Sequence, residues 1–247
     1  MRDIIRLPTG AGALFVPAPA TGKHLSPAIV IVHGWNSRPY SSSSYALLRP
    51  MLLDAGFATL SVFLRGHEQA EGDLGSVTRQ DHLDDVKAAF TWLSQRSDIN
   101  PDRVGALGVS YGCYLLAIAS ASCPFPLKAL ALRAPVLYPD AGWDEPTCRF
   151  TDNESVREWR QSVRTPEECK ALAGLGSFSG SLLIVASEHD ESVPPAVVES
   201  YLLAALRTSD QAAFVISGAS HVLSAEEREI FFVHSAAFFR SRLRESL

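Results

Sequence analysis

Eight short runs of β-branched and apolar residues, separated by longer stretches with helical spacing, constrain this chain more than any other feature. They cover residues 3–7, 13–16, 28–32, 57–63, 103–109, 128–134, 181–187 and 212–217. The central runs are apolar with little interruption, as a strand must be when it is covered on both faces. Alternation of such runs with helical segments predicts an α/β protein: a doubly wound, mostly parallel eight-stranded sheet with helices on both faces. In the stretch 78–96, Leu83, Val86, Phe90 and Leu93 fall three and four residues apart, and Thr78 and Asp81 have the spacing of a capping box. Ser224 and Glu227 repeat that spacing ahead of a last helix over 224–242.

With 47% hydrophobic and 20% charged residues the chain can bury a large core, and 1–247 is expected to form one domain. Twenty-two Lys and Arg stand against 27 Asp and Glu, so no nucleic-acid partner is expected. The longest apolar runs are far short of the roughly 18 residues that a membrane span requires, so no membrane partner is expected either. Ala18-Pro19-Ala20 looks like a small-residue cleavage site, but the apolar stretch before it is too short for a secretory signal, which leaves a cytoplasmic chain as the expectation. Cys113, Cys123, Cys148 and Cys169 lack paired or Cys-x-x-Cys spacing, and His24, His67, His82 and His234 lack ligand spacing. Reduced thiols, no metal and no cofactor are therefore expected. One connection, residues 138–180, is too long for the alternation and reads as a short cap-like insertion.

Gly108-Val109-Ser110-Tyr111-Gly112 has the pattern G-x-S-x-G between the run ending at 109 and a helical run over 111–121. In that setting two glycines let the chain turn sharply and hold a hydroxyl exposed at the carboxyl end of a strand. A serine hydroxyl is a weak nucleophile until a base takes its proton, and the base must be oriented by an acid. Glu188-His189-Asp190-Glu191-Ser192-Val193-Pro194 follows the seventh run, and Gly218-Ala219-Ser220-His221 follows the eighth. The order Ser110, Asp190, His221 is the one expected for a nucleophile elbow on a doubly wound sheet.

Three further segments complete a pattern: His33-Gly34-Trp35 after the third run, Arg65-Gly66-His67 after the fourth, and Asn100-Pro101-Asp102-Arg103-Val104 leading into the elbow strand. The whole resembles the α/β-hydrolase-fold serine hydrolases, nearest the single-domain dienelactone-hydrolase-like esterases and prolyl-oligopeptidase-type catalytic domains. The resemblance selects Asp190 over Glu188 and Glu191 by its spacing to Val193-Pro194. It also implies an oxyanion hole made by the backbone N–H groups of Trp35 and Tyr111, with His33 bracing the first of these loops. Phe63 stands where relatives often carry aspartate and Glu68 where they carry glycine, which places Phe63 in the expected pocket wall. Dienelactone hydrolase has a cysteine nucleophile; here Cys113, one turn beyond Ser110, reads as a buried helix residue. Trp143 and Trp159 either line an acyl pocket or anchor the insertion's own small core; Arg149, Arg157, Arg160 and Arg164 could meet an anionic substrate or face solvent, and helical spacing favours solvated charges. The implied activity is cofactor-free hydrolysis of a small-molecule carboxylic ester, with a small apolar or aromatic acyl group carried on Ser110. A serine peptidase or acyltransferase using the same three residues stays open, as does a non-catalytic binding protein of the same fold. So does the oligomeric state, a homodimer included.

Overall fold

The computed structural model describes residues 4–19, 25–35, 37–38, 43–150 and 153–243; Asp3, Ala20 and His24 lie outside them. All eight runs become strands of one sheet: β1 (Ile5–Arg6), β2 (Gly12–Val16), β3 (Ser26–Val32), β4 (Ala58–Phe63), β5 (Ile99–Val109), β6 (Ala129–Arg133), β7 (Ser181–Ser187) and β8 (Asp210–Ile216). Their order is β1-β2-β4-β3-β5-β6-β7-β8. Only the β1–β2 and β2–β4 pairings are antiparallel; from β4 to β8 every neighbour is parallel. Parallel neighbours require crossovers, and these are supplied by helices α1 (Ser43–Asp54), α2 (Arg79–Ser94), α3 (Tyr111–Ala119), α5 (Lys170–Ser177) and α6 (Pro195–Ala204). The short α4 (Glu154–Trp159) lies within the long connection, and α7 (Ala225–Arg242) follows the last strand.

The alternation of side chains along a strand divides the interior in two. On β3, Ala28, Val30 and Val32 join a core with α2, α3, α5 and α6 on one face. Ile29 and Ile31 point the other way, to Leu48 and Leu52 of α1 and Phe231, Phe232 and Phe239 of α7. Both anticipated capping boxes are present. Thr78 Oγ accepts from the Asp81 amide at 3.1 Å while Asp81 accepts from the Thr78 amide at 2.8 Å, and Ser224 and Glu227 do the same for α7. Each such cap is worth about 1 kcal/mol.

The long connection differs from its sequence reading. Its last part is α5, an ordinary crossover helix packed on α3 and α6, so the extra structure ends near residue 169. The preceding part is drawn down onto α2 by Arg79, whose two Nη atoms donate to the carbonyls of Pro139 and Ala141 at 2.7 and 2.5 Å. Its guanidinium lies over the rings of Phe150 and Trp143, at 4.7 and 5.5 Å from their centroids. Arg160, expected in solvent, is 3% exposed: Nε donates to the Leu137 carbonyl at 2.6 Å and the guanidinium covers the Tyr138 ring. Arg149 is exposed and pairs with Glu145. Among the described residues no helix is long and apolar enough to cross a membrane.

At the start of α3 the helix approaches β3 so closely that a Cβ on Gly112 would lie 2.2 Å from the Val32 carbonyl oxygen. Gly112→Ala is therefore expected to lower unfolding free energy by about 3 kcal/mol through overpacking. Gly176→Ala in α5, where the nearest atom to a new Cβ is 3.5 Å away, should be neutral or stabilising by up to about 1 kcal/mol. Urea titrations of the two variants check the contrast.

Candidate active site

Ser110 occupies the turn between β5 and α3 with φ 52° and ψ −112°, a backbone conformation that few non-glycine residues adopt. Its amide donates to the Arg133 carbonyl on β6 at 2.8 Å, and its carbonyl accepts from the Cys113 amide at 3.0 Å. The hydroxyl is thereby turned out at the carboxyl edge of the sheet, 3.2 Å from His221 Nε2. On the far side of the imidazole, Nδ1 lies 2.9 and 3.0 Å from the two Asp190 carboxylate oxygens. A carboxylate only accepts, so Nδ1 carries the proton, and Nε2 offers its lone pair to Ser110 O–H.

The Asp190 side chain is 2% exposed and that of His221 20%, so the acid is shielded while the imidazole can be reached. Burial works to raise the Asp190 pKa. The hydrogen bond and charge of His221 and the amides of Ser192 and Val193, both at 2.9 Å, outweigh it and hold the carboxyl below its ordinary value. Of the flanking acids, Glu188 accepts from Ser217 and the Gly218 amide, and Glu191 from the His221 amide; neither is hydrogen-bonded to the imidazole ring.

Tyr111, the first residue of α3, has an amide with no intrahelical acceptor, directly beside Ser110. Gly34, next to Trp35, lies against the other side: a Cβ on it would be 3.3 Å from Ser110 Cβ. His33 braces this loop, donating from Nδ1 to the Gly34 carbonyl at 2.8 Å and accepting the Leu64 amide at Nε2. Burial lowers its pKa well below the ordinary value, which keeps it in the neutral form that this bonding requires. Cys113 is buried with its thiol donating to the Arg133 carbonyl, and burial raises its pKa far above that of a reactive thiol. The four cysteines are free.

A cavity of about 270 Å³ opens beside Ser110 on the α1 and α7 side, walled by Trp35, Tyr45, Leu48, Arg133, His221, Leu223, Arg228, Phe231 and Phe232 among others. The residues expected to form the pocket lie elsewhere. Phe63 is fully buried against Leu14 and Val16 beneath the antiparallel edge of the sheet. Trp143 donates from Nε1 to Gln80 of α2 at 2.8 Å, and Trp159 lies under the Arg164 guanidinium. Both tryptophans thus anchor the insertion. The sequence reading missed Arg133 and Arg228; its one available signal was a charge closing an otherwise apolar run at Arg133.

The profile of the X-Pro dipeptidyl-peptidase (S15) family matches residues 12–156, more than half of the chain. The chain belongs to this family. No curated protein matches it. Among solved structures this S15 family member is similar to Est1E from Butyrivibrio proteoclasticus, with ferulic acid bound (17% identity, TM-score 0.72, covering 98% of this chain and 100% of that one). A dienelactone hydrolase from Anabaena variabilis is 18% identical, with a TM-score of 0.68 and 99% of each chain covered. A puromycin-hydrolyzing peptidase from Mycobacterium tuberculosis is 20% identical, with a TM-score of 0.74 over 99% of this chain and 39% of that one. At such identities the likeness is one of fold, and the fold is that of the α/β hydrolases.

Behind the Trp35 and Tyr111 rings, His82 accepts from Tyr111 O–H at Nδ1 and donates from Nε2 to the Arg65 carbonyl at 2.9 Å. Burial drives its pKa down to about 4; the bond to Arg65 opposes this, while the charges of His67 and Arg65 add to it. The folded protein therefore binds this proton less readily than the unfolded chain, whose histidine titrates near 6.5. Stability attributable to His82 is full above pH 6.5 and is lost as pH falls toward 4. His82→Gln, which keeps a donor for Arg65, should reduce the slope of unfolding free energy against pH in that window by about 1.4 kcal/mol per pH unit. Urea titrations at a series of pH values measure it.

Proposed function

We propose that this chain is a serine hydrolase that cleaves small-molecule carboxylic esters through an acyl group carried on Ser110. The observation that carries the reading is the unbroken hydrogen-bond chain from Ser110 Oγ to His221 Nε2 at 3.2 Å and from Nδ1 to Asp190 at 2.9 Å. As Oγ attacks the ester carbonyl, Nε2 takes its proton, and Asp190 fixes the tautomer and stabilises the imidazolium. The oxyanion turns toward the amides of Tyr111 and Trp35, which flank Ser110 from the two loops beside it. Nε2 then protonates the departing alkoxide. In the second half, His221 deprotonates water, which attacks the acyl carbonyl and releases the acid and free Ser110. No step calls on a metal or cofactor.

The cavity beside Ser110 is sized for a compact acyl group, and the Tyr45, Leu48, Phe231 and Phe232 side chains give it flat apolar walls. That Est1E accommodates an aromatic acid, ferulic acid, on the same fold supports this reading. Peptide cleavage is the second reading, and the family assignment favours it. Release of an N-terminal dipeptide requires a site for a free ammonium group, however, and the described residues around this cavity include Arg38, Arg133 and Arg228 but no carboxylate. Their sign opposes a cationic substrate.

A fluorophosphonate probe should label Ser110, as located by peptide mass spectrometry, and neither Ser110→Ala labelling nor its ester turnover should exceed background. Asp190→Asn should keep its circular dichroism spectrum and lose on the order of 10⁴ in kcat. Ester turnover should be unchanged by EDTA. Cleavage of Gly-Pro-p-nitroanilide above the Ser110→Ala background would move the assignment from esters to peptides.

A further inference from the structure

The arginines that oppose a cationic substrate are only partly explained by their contacts within the protein. Arg133 ends β6 and is only 2% exposed. Its Nη2 donates to Ser187 Oγ at 2.8 Å and to the Ser220 carbonyl at 3.2 Å, while Nε is buried with no partner. A guanidinium taken out of water without a counter-charge is expensive, and no ion pair forms with Arg133 among the described residues. The carboxylates that act on it electrostatically are committed elsewhere: Asp190 to His221, and Glu227 to the Ser224 capping box.

Arg228 is a second such case. It lies in the first turns of α7 just after Glu226 and Glu227, yet among the described residues it forms an ion pair with neither. One Nη donates to the Leu223 carbonyl at 2.9 Å, and Nε is again buried with no partner. Bracing of the His221 loop accounts for part of Arg133, through Ser187 and Ser220. It does not account for Arg228. What the two share is the wall of the cavity that opens on Ser110.

We infer that this cavity contains an anion-binding subsite in which Arg133 and Arg228 hold a carboxylate on the acyl part of the substrate. A carboxylate matches the planar fork of a guanidinium, and the cavity that both arginines line has no carboxylate among its described wall residues, while Tyr45 and Phe231 cover the scaffold between the bound carboxylate and the scissile ester. The substrate class is thus a half-ester of a small dicarboxylic acid, and the acid released is a dicarboxylate. This rests on the ester-hydrolase reading for its chemistry but on the arginines alone for its binding.

The test compares mono-4-nitrophenyl terephthalate with its neutral isostere, 4-nitrophenyl 4-carbamoylbenzoate, and mono-4-nitrophenyl adipate with the corresponding adipamate. Wild-type kcat/KM should favour the charged ester by about tenfold or more in at least one pair, and Arg228→Gln should bring that ratio to near one. Calorimetry with Ser110→Ala protein should show binding of the matching dicarboxylate, lost when Arg228→Gln is added. Charged esters no better than neutral ones in both pairs, without dicarboxylate binding, would overturn the subsite; the wild-type comparison needs no variant to fold. Arg228-dependent dicarboxylate binding by a protein that hydrolyses none of the four esters would leave the subsite standing and sink the hydrolase reading instead.

Discussion

A serine held at φ 52° and ψ −112° lies off the favoured backbone regions by on the order of 1–3 kcal/mol, and it stays there only because its surroundings leave no alternative. Those surroundings are the central parallel strands. The Ser110 amide is fixed on β6 through the Arg133 carbonyl, and α3 is seated so close to β3 and β5 that Gly108 and Gly112 have no room for a side chain. Both consequences of the turn matter together: the hydroxyl points out of the sheet edge, and the first amide of α3 arrives beside it. Because β3 is the parallel neighbour of β5, its own carboxyl end delivers the His33–Trp35 loop to the same place.

Arg133 is the second organising residue, and it works from both ends. Its carbonyl holds the Ser110 amide and the Cys113 thiol, while its guanidinium reaches Ser187 at the end of β7 and Ser220 beside His221. One residue thus ties the turn carrying Ser110 to the strand end at Ser187 and the loop carrying His221. The permanent positive charge here lies close to Asp190, whose carboxylate acts on it electrostatically. A substrate carboxylate bound at Arg133 would supply a second negative charge beside the guanidinium, one not committed to His221.

The strands and the Ser110, Asp190 and His221 positions were legible because each depends on local pattern and chain order. A run such as Ile29–Val32 is apolar because both faces of β3 are covered, and Ser110, Asp190 and His221 follow β5, β7 and β8 in turn, at the carboxyl edge of one sheet. Helices α1 and α6 were less visible: α1 contains Pro50, and Pro195–Ala204 is too broadly apolar to show one stripe. The pocket was not legible at all. Phe63 was assigned to it from its place in a loop motif, yet its direction is set by alternation along β4, which sends it toward Leu14 and Val16. Trp143 was an equally good candidate for a pocket or an anchor until Arg79, distant in sequence, captured the carbonyls of the same segment.

The positions of Phe63, Trp143 and Trp159 leave one flank of Ser110 open to confer specificity. On the α2 and α3 side the insertion is clamped by Arg79, Trp143 and Phe150, and behind Trp35 and Tyr111 lie His33, His67 and His82, all with pKa values lowered by burial. Neutral rings contribute little field and leave that flank a rigid backing for Trp35 and Tyr111. On the α1 and α7 side there is space, apolar wall and unpaired positive charge beside the same hydroxyl. A substrate lodged there meets apolar wall and positive charge directly beside Ser110. Selectivity should therefore follow substitutions in α7 and at the end of β6, while changes in the long insertion act through the stability of the α2 and α3 flank.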